Sequence, residues 1–220
     1  MKPADRQRDT HWPAQLAEGL QAMAQPLDAD RQALLLDYLN LLDKWNRVFN
    51  LTAVRDPAIM VRRQLLDSLS ILPWVDAGPV LDVGSGAGLP GIPLAIARPE
   101  LAFSLLDTNG KKTRFLQQAV AELGLANVEV LKTRVEALER PRHYALITSR
   151  AFATLADMVA GSRSLLAPGG RWLAMKGAAP VSEIGDLPVD LDATIVTLEV
   201  PGETGARHLA VIRDLANERR

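Results

Sequence analysis

A chain of 220 residues, 48% of them hydrophobic and with a formal net charge of −1, has room for one ordinary domain with some excess and enough apolar side chains to bury a core. It contains no cysteine, which excludes disulfides, thiolate metal sites and cysteine nucleophiles, and its three histidines, His11, His143 and His208, are too scattered to form a metal site. No apolar run is long enough to span a bilayer, and MKPADRQRDTHWP lacks the apolar stretch of a signal peptide, so the expectation is a cytoplasmic protein without a membrane partner.

In chain order, residues 1–13 show no apolar periodicity and read as a loose extension. A short helical pattern follows over 14–24. A second starts near Asp30, where RQALLLDYLNLLDKWNRV puts Leu34, Leu35, Tyr38, Leu41, Leu42 and Trp45 on one stripe, with Asp28 or Asp30 as the cap. FNLTAVRD reads as a turn, and a third helix starts near Asp56-Pro57 and carries Met60, Leu65, Leu66 and Leu69 inward. Residues 14–75 thus form a helical cap ahead of a core spanning 76–220.

From Val80 short apolar runs alternate with helical patterns. Strands are expected near 80–83, 102–107, 127–131, 144–149 and 170–175, and helices near 89–98, 110–124 and 154–166. That alternation implies an α/β fold with a mostly parallel sheet covered on both faces. ATIVTLEV, PGETG and ARHLAVIRD then read as an antiparallel hairpin with a tight turn.

The charges are unevenly spread. Between Lys44 and Arg63 five residues are basic and one is acidic, while from Ala178 to Gly205 every charged residue is acidic. This is either a footprint for a polyanion or two ordinary solvated faces.

The stretch VLDVGSGAGLPG places a glycine-rich turn between the first strand and a helix, and Gly86-Ala87-Gly88-Leu89-Pro90-Gly91 satisfies G-x-G-x-x-G. A tight turn that binds nothing is the plain alternative. Asp82, two residues ahead of Gly84, would repel a pyrophosphate and suits a cationic ligand. Pro90 and Pro93 leave the next helix fewer free amides. Asp107 closes FSLLD at the distance where a carboxylate takes ribose hydroxyls, although it is also placed to cap the next helix. With LLAPGGRWLAMKG and the terminal hairpin, the arrangement fits a Rossmann-like S-adenosylmethionine-dependent methyltransferase, usually seven-stranded with a reversed last pair. A hydride-transfer enzyme ranks last, because no histidine or tyrosine constellation accompanies the glycines.

For the acceptor, the fourth strand, YALITS, runs into Ser149-Arg150-Ala151-Phe152 without the proline pair of exocyclic-amine methylases, and no cysteine is present for pyrimidine C5. Guanine N7 has a free lone pair and needs no base, so rate would come from alignment and electrostatic support. Arg150, the candidate catalytic residue, could hold guanine O6, a phosphate or the cofactor carboxylate, and Phe152 could stack on a base. A surface ion pair for Arg150 and a core position for Phe152 are the alternatives.

The runs KWNRVFNLTAVRD, LLDSL, LDVGSGAGLPGIPLAIARPE, LLDTNGKKTRFL, RVEAL, SRAFATLADM and MKG resemble, in order over roughly residues 35–177, the 16S ribosomal RNA guanine-N7 methyltransferase family, also called glucose-inhibited division protein B. The resemblance implies methyl transfer from S-adenosylmethionine to guanine N7 in 16S rRNA of the small ribosomal subunit or its precursor. It implies cofactor contacts at Gly84, Leu89, Val135, Glu136 and Arg150. Gly86 and Asp82 join them in the glycine loop, and Asp107 joins on similarity to the wider class. Asn50-Leu51-Thr52, Arg63 and Asp67 match the family's helical cap. One departure is Gln64, which stands where the family usually has histidine. Lys111, Lys112, Arg114, Lys132, Arg134, Arg47, Arg55, Arg62 and Arg63 are candidate phosphate contacts. Rival readings are a methyltransferase for a small molecule or protein, and an inactive adenosyl-nucleotide or RNA-binding module. A monomer is expected.

Overall fold

The computed structural model describes residues 3–141, 143–150 and 154–216, with side chains from residue 11 onward. Helix α1 (Pro3–Ala22) begins well before the expected start near Ala14. Trp12, Leu16 and Leu20, four residues apart, form a buried stripe, and Trp12 Nε1 donates to Pro57 O at 2.9 Å. The segment read as loose through residue 13 is therefore helical from Pro3 and anchored at Trp12, because the stripe starts one residue ahead of Pro13.

Helix α2 (Ala29–Phe49) is capped by Asp28, which accepts from Arg31 N, and ends at Asn50 in the left-handed region, φ 52°. The third helical pattern is one continuous element with three geometries: α3 (Pro57–Met60), a π-helical stretch Val61–Leu66 and α4 (Asp67–Leu69). A short 3-10 turn, Leu72–Trp74, leads to the sheet.

The sheet alternates as expected: β1 (Val80–Val83), α5 (Gly91–Ala97), β2 (Phe103–Leu106), α6 (Gly110–Leu123), β3 (Val128–Leu131), a 3-10 turn at Val135–Ala137, β4 (Tyr144–Arg150), α7 (Leu155–Ser162) with a 3-10 turn at Arg163–Leu165, and β5 (Leu166–Lys176). A short α8 (Val181–Gly185), absent from the sequence reading, precedes β6 (Leu191–Thr197) and β7 (His208–Asp214). The strand order is β3-β2-β1-β4-β5-β7-β6, and β7 runs antiparallel to both of its neighbours. The sheet divides the core. Val80, Phe103 and Leu105 face the cluster shared with α1, α2, α5 and α6, whereas Leu81, Val83 and Leu106 face the cluster beneath α7.

The hairpin turn lies where PGETG placed it: Glu203 N donates to Val200 O at 3.0 Å with Gly202 at φ 74°. The regular strands are shorter than read, stopping at Thr197 and starting again at His208, although Leu198 N still donates to Arg207 O at 2.8 Å. Leu198 and Val200 are buried in the main core, which holds this loop down against the helical segment.

Candidate functional site

The chain lays β1, β2 and β3 outward and then returns to place β4 on the other side of β1. Ligand crevices form at such a reversal, outside the carboxyl ends of the strands. The glycine loop leaves β1 at this point.

The amides of this loop are almost all committed. Gly84 and Ser85 donate to Leu106 O, Gly86 to Asp107 Oδ2 at 2.9 Å, Gly88 and Leu89 to Ser85 O, Ile92 to Gly88 O, and Gly91 to Asp82 Oδ2 at 3.1 Å. A pyrophosphate needs such amides free, so the G-x-G-x-x-G match does not make a dinucleotide cradle here. Two of the glycines, Gly88 and Gly91, serve packing, whereas Gly84 and Gly86 make the turn at φ 70° and 61°. A Cβ on Gly91 would meet Leu105 Cδ2 at 2.3 Å and Asp82 Oδ2 at 2.7 Å, and one on Gly88 would meet Ile92 Cδ1 at 2.5 Å.

The site fits a cationic adenosyl ligand. Asp82 is fully buried, and its Oδ1 has no partner among the described residues. Burial pushes its carboxyl up to about 7, opposed by its hydrogen bonds and by the charge of Arg150. A buried carboxylate oxygen left over in this way is satisfied by positive charge nearby. Asp107 accepts from Gly86 N and from Asn109 N at 2.8 Å, which leaves lone pairs on both oxygens for hydroxyl donors. Asp107 is not the cap of α6, because Asn109 accepts from Lys111 N and Lys112 N in that role.

Of the other expected cofactor residues, Leu89 is buried in the main core and Val135 clusters with Val83 and Leu106 on the opposite face of the sheet. Glu136 is exposed, with its carboxylate against Gly161 of α7.

Arg150, at the end of β4, turns toward the helical segment. Its Nη1 donates to Arg63 O at 3.0 Å and Asp67 Oδ2 at 3.2 Å, and its Nη2 donates to Gln64 Oε1 at 3.0 Å. These bonds use three of its five N–H groups. Asp67 Oδ1 accepts in turn from Arg207 Nε at 2.8 Å. Gln64 is fully buried and its Nε2 donates to Thr52 Oγ1 at 2.9 Å, so it joins the FNLT turn to Arg150 through a neutral bridge. Thr52 is held by Asn46 Oδ1, which accepts from Thr52 N at 2.8 Å. Around this network lies a cleft of about 350 Å³ lined by Thr52, Gln64, Asp67, Arg150, Lys176 and His208 among others. Phe152 and Ala151 lie outside the described residues.

Residues 31–210 match the sequence profile of the GidB family, described as rRNA small subunit methyltransferase G. The chain belongs to that family. Among its relatives, ribosomal RNA small subunit methyltransferase G of Marinobacter nauticus is 54% identical, covering 91% of this chain and 94% of that one. The protein of the same name from Pseudomonas aeruginosa strain LESB58 is 52% identical, covering 94% and 97%. A solved S-adenosylmethionine-dependent methyltransferase from Aquifex aeolicus has the same fold, with a TM-score of 0.55 at 19% identity over 78% of this chain and 97% of that one. This GidB-family chain is a methyltransferase and its cofactor is S-adenosylmethionine.

Three residues of the site were not singled out by their sequence signal. Tyr38 was read only as part of an apolar stripe, yet its hydroxyl donates to Ala87 O in the glycine loop at 2.7 Å; burial pushes its pKa up and keeps it a donor. Arg207 and Glu203 lie in the hairpin connection. Glu203 Oε2 is 2.6 Å from Arg63 Nε, 3.5 Å from Arg207 Nη2 and 3.8 Å from Arg62 Nε. The basic and acidic runs therefore meet here. Arg62 and Arg63 are partly neutralised from within, and Arg47 pairs with Asp43. Lys111, Arg114, Lys132 and Arg134 remain exposed, while Lys112 Nζ lies 3.9 Å from Asp107 Oδ2. Among the described residues no helix is long and apolar enough to cross a membrane, and no acid or histidine cluster could hold a metal.

Proposed function

We propose that the protein transfers the methyl group of S-adenosylmethionine to N7 of a guanine in the small-subunit ribosomal RNA. The observation that carries the choice of N7 is the commitment of the carboxylate that lines the cleft. Both oxygens of Asp67 accept from guanidinium groups, and Gln64 does not titrate. Such a cleft offers donors to an acceptor, and no carboxylate base without a guanidinium partner lines it. Guanine N7 needs none, because its lone pair is available at neutral pH.

S-adenosylmethionine supplies an electrophilic methyl on a sulfonium; the N7 lone pair forms the new bond as the C–S bond breaks and its electron pair returns to sulfur. Asp82, Gly84, Gly86, Leu89, Asp107, Val135 and Glu136 are assigned to holding the cofactor. Arg150 donates to the acceptor base or to the cofactor carboxylate with the N–H groups its internal bonds leave over. The helical segment of residues 14–75 caps the core of 76–220 and covers the crevice. Alignment of lone pair and methyl supplies most of the acceleration.

The test is incubation of the protein with methyl-labelled cofactor and small subunits that lack the modification, followed by chemical cleavage at N7-methylguanine. Label in one guanine of the ribosomal RNA supports the reading. Label confined to a ribosomal protein or to another ring position would rule it out.

A further inference from the structure

Among the described residues the large exposed apolar side chains include two neighbours at the end of α2, Val48 at 69% exposure and Phe49 at 43%. Scattered single exposures need no explanation, but this pair ends an aromatic ladder. Tyr38, whose hydroxyl holds the glycine loop, lies 6.5 Å from Phe115 between ring centroids. Phe115 is fully buried and lies 5.6 Å from Trp45 at an edge-on angle, and Trp45 lies 5.1 Å from Phe49. The Phe49 ring is therefore backed by Trp45 and partly open to solvent. A ring ordered in advance loses little freedom when a second flat group covers it.

The surroundings select the occupant. Lys44 and Arg47 are exposed on the last turns of α2, Arg47 with Asp43 as partner, and the exposed Arg55 donates to Oδ1 of Asn50, the residue next to Phe49, at 2.7 Å. Protein interfaces are depleted in lysine, whereas an aromatic face among cations is how unpaired nucleic acid is held. The chain then passes from Phe49 into the turn whose Thr52 and Val54 line the cleft. We infer that Phe49 is a stacking platform for an unpaired base of the RNA, outside the nucleotide that receives the methyl group. The inference rests on the proposed rRNA substrate.

The experiment compares the full chain with Phe49→Ala, Phe49→Leu and Phe49→Trp. KM and kcat are measured on small subunits lacking the modification, dissociation constants on deproteinised small-subunit RNA, and cofactor affinity by calorimetry. Phe49→Ala should raise KM and weaken RNA binding roughly tenfold, with kcat and cofactor affinity unchanged. Phe49→Trp should restore both, and Phe49→Leu should stay with alanine, since it keeps apolar packing on Trp45 and lacks a stacking face. Unchanged RNA binding in Phe49→Ala, full function in Phe49→Leu, or a loss seen on the particle and not on bare RNA would overturn the platform, the last pointing to a ribosomal protein. If the wild-type chain methylates no RNA, the proposed function fails, while the RNA-binding comparison still decides the role of Phe49.

Discussion

The two halves of the site are built differently. On the glycine-loop side, residues 82–92 bond mainly to one another and to the end of β2, through backbone amides. On the cleft side, side chains far apart in sequence bond across the molecule: Arg150 to Asp67 over 83 residues and Arg207 to Asp67 over 140. Substitution should damage the first side through sterics and buried charge, and the second through lost ion pairing.

The largest effect is expected on the cleft side. Asp67→Ala leaves two partly buried guanidinium groups without their shared carboxylate and should destabilise the fold by about 3–5 kcal/mol, read from the denaturant midpoint. A change under about 1 kcal/mol would mean that the network is solvated and contributes little.

Next comes Asp82 in the cofactor-free protein. Its carboxyl is raised to about 7 in the folded state, so the folded chain binds more protons than the unfolded chain between about pH 4 and 7. The wild type should lose stability relative to Asp82→Asn as pH rises through that window, by on the order of several kcal/mol, and the gap should level off above it. Parallel pH profiles of the two proteins would show that Asp82 does not titrate there. A cationic cofactor favours the ionised carboxylate, so wild-type affinity for S-adenosylmethionine should rise with pH up to about 7.

Arg150→Ala should lower kcat about a hundredfold, in line with losing a donor at a reacting centre, while circular dichroism shows the fold retained. Wild-type turnover would remove Arg150 from the reaction and leave it a structural strut. The smallest effect belongs to Gly91→Ala, whose methyl crowds Leu105 and Asp82 and should cost about 1–3 kcal/mol in thermal or chemical denaturation. A neutral result would show that α5 can shift away from β1.

Much of this was legible in the sequence where the signal is local. The apolar stripe of α2, the Asp28 cap and the short strands all follow from side-chain periodicity and capping chemistry. So does the glycine loop, where Asp82 and the prolines already turned the reading away from a dinucleotide; that its amides are committed within the loop is visible only in the fold. Trp12 was missed because its stripe crosses Pro13, and α8 carries too few apolar residues to register. PGETG has turn composition and the turn forms at Pro201-Gly202, but the burial of Leu198 and Val200, which docks the connection between β6 and β7 on the core, has no local signal.

The sequence by itself determined the doubly covered sheet, the glycine turn and the carboxylates beside it, because period, turn chemistry and strand ends act over a few residues. Only the tertiary structure decided that the basic run near residue 60 meets Glu203, that Gln64 bridges Thr52 and Arg150, and that Tyr38 steadies the glycine loop. Those contacts depend on how helices and a distant loop pack over the crevice, and no short stretch of chain encodes that geometry.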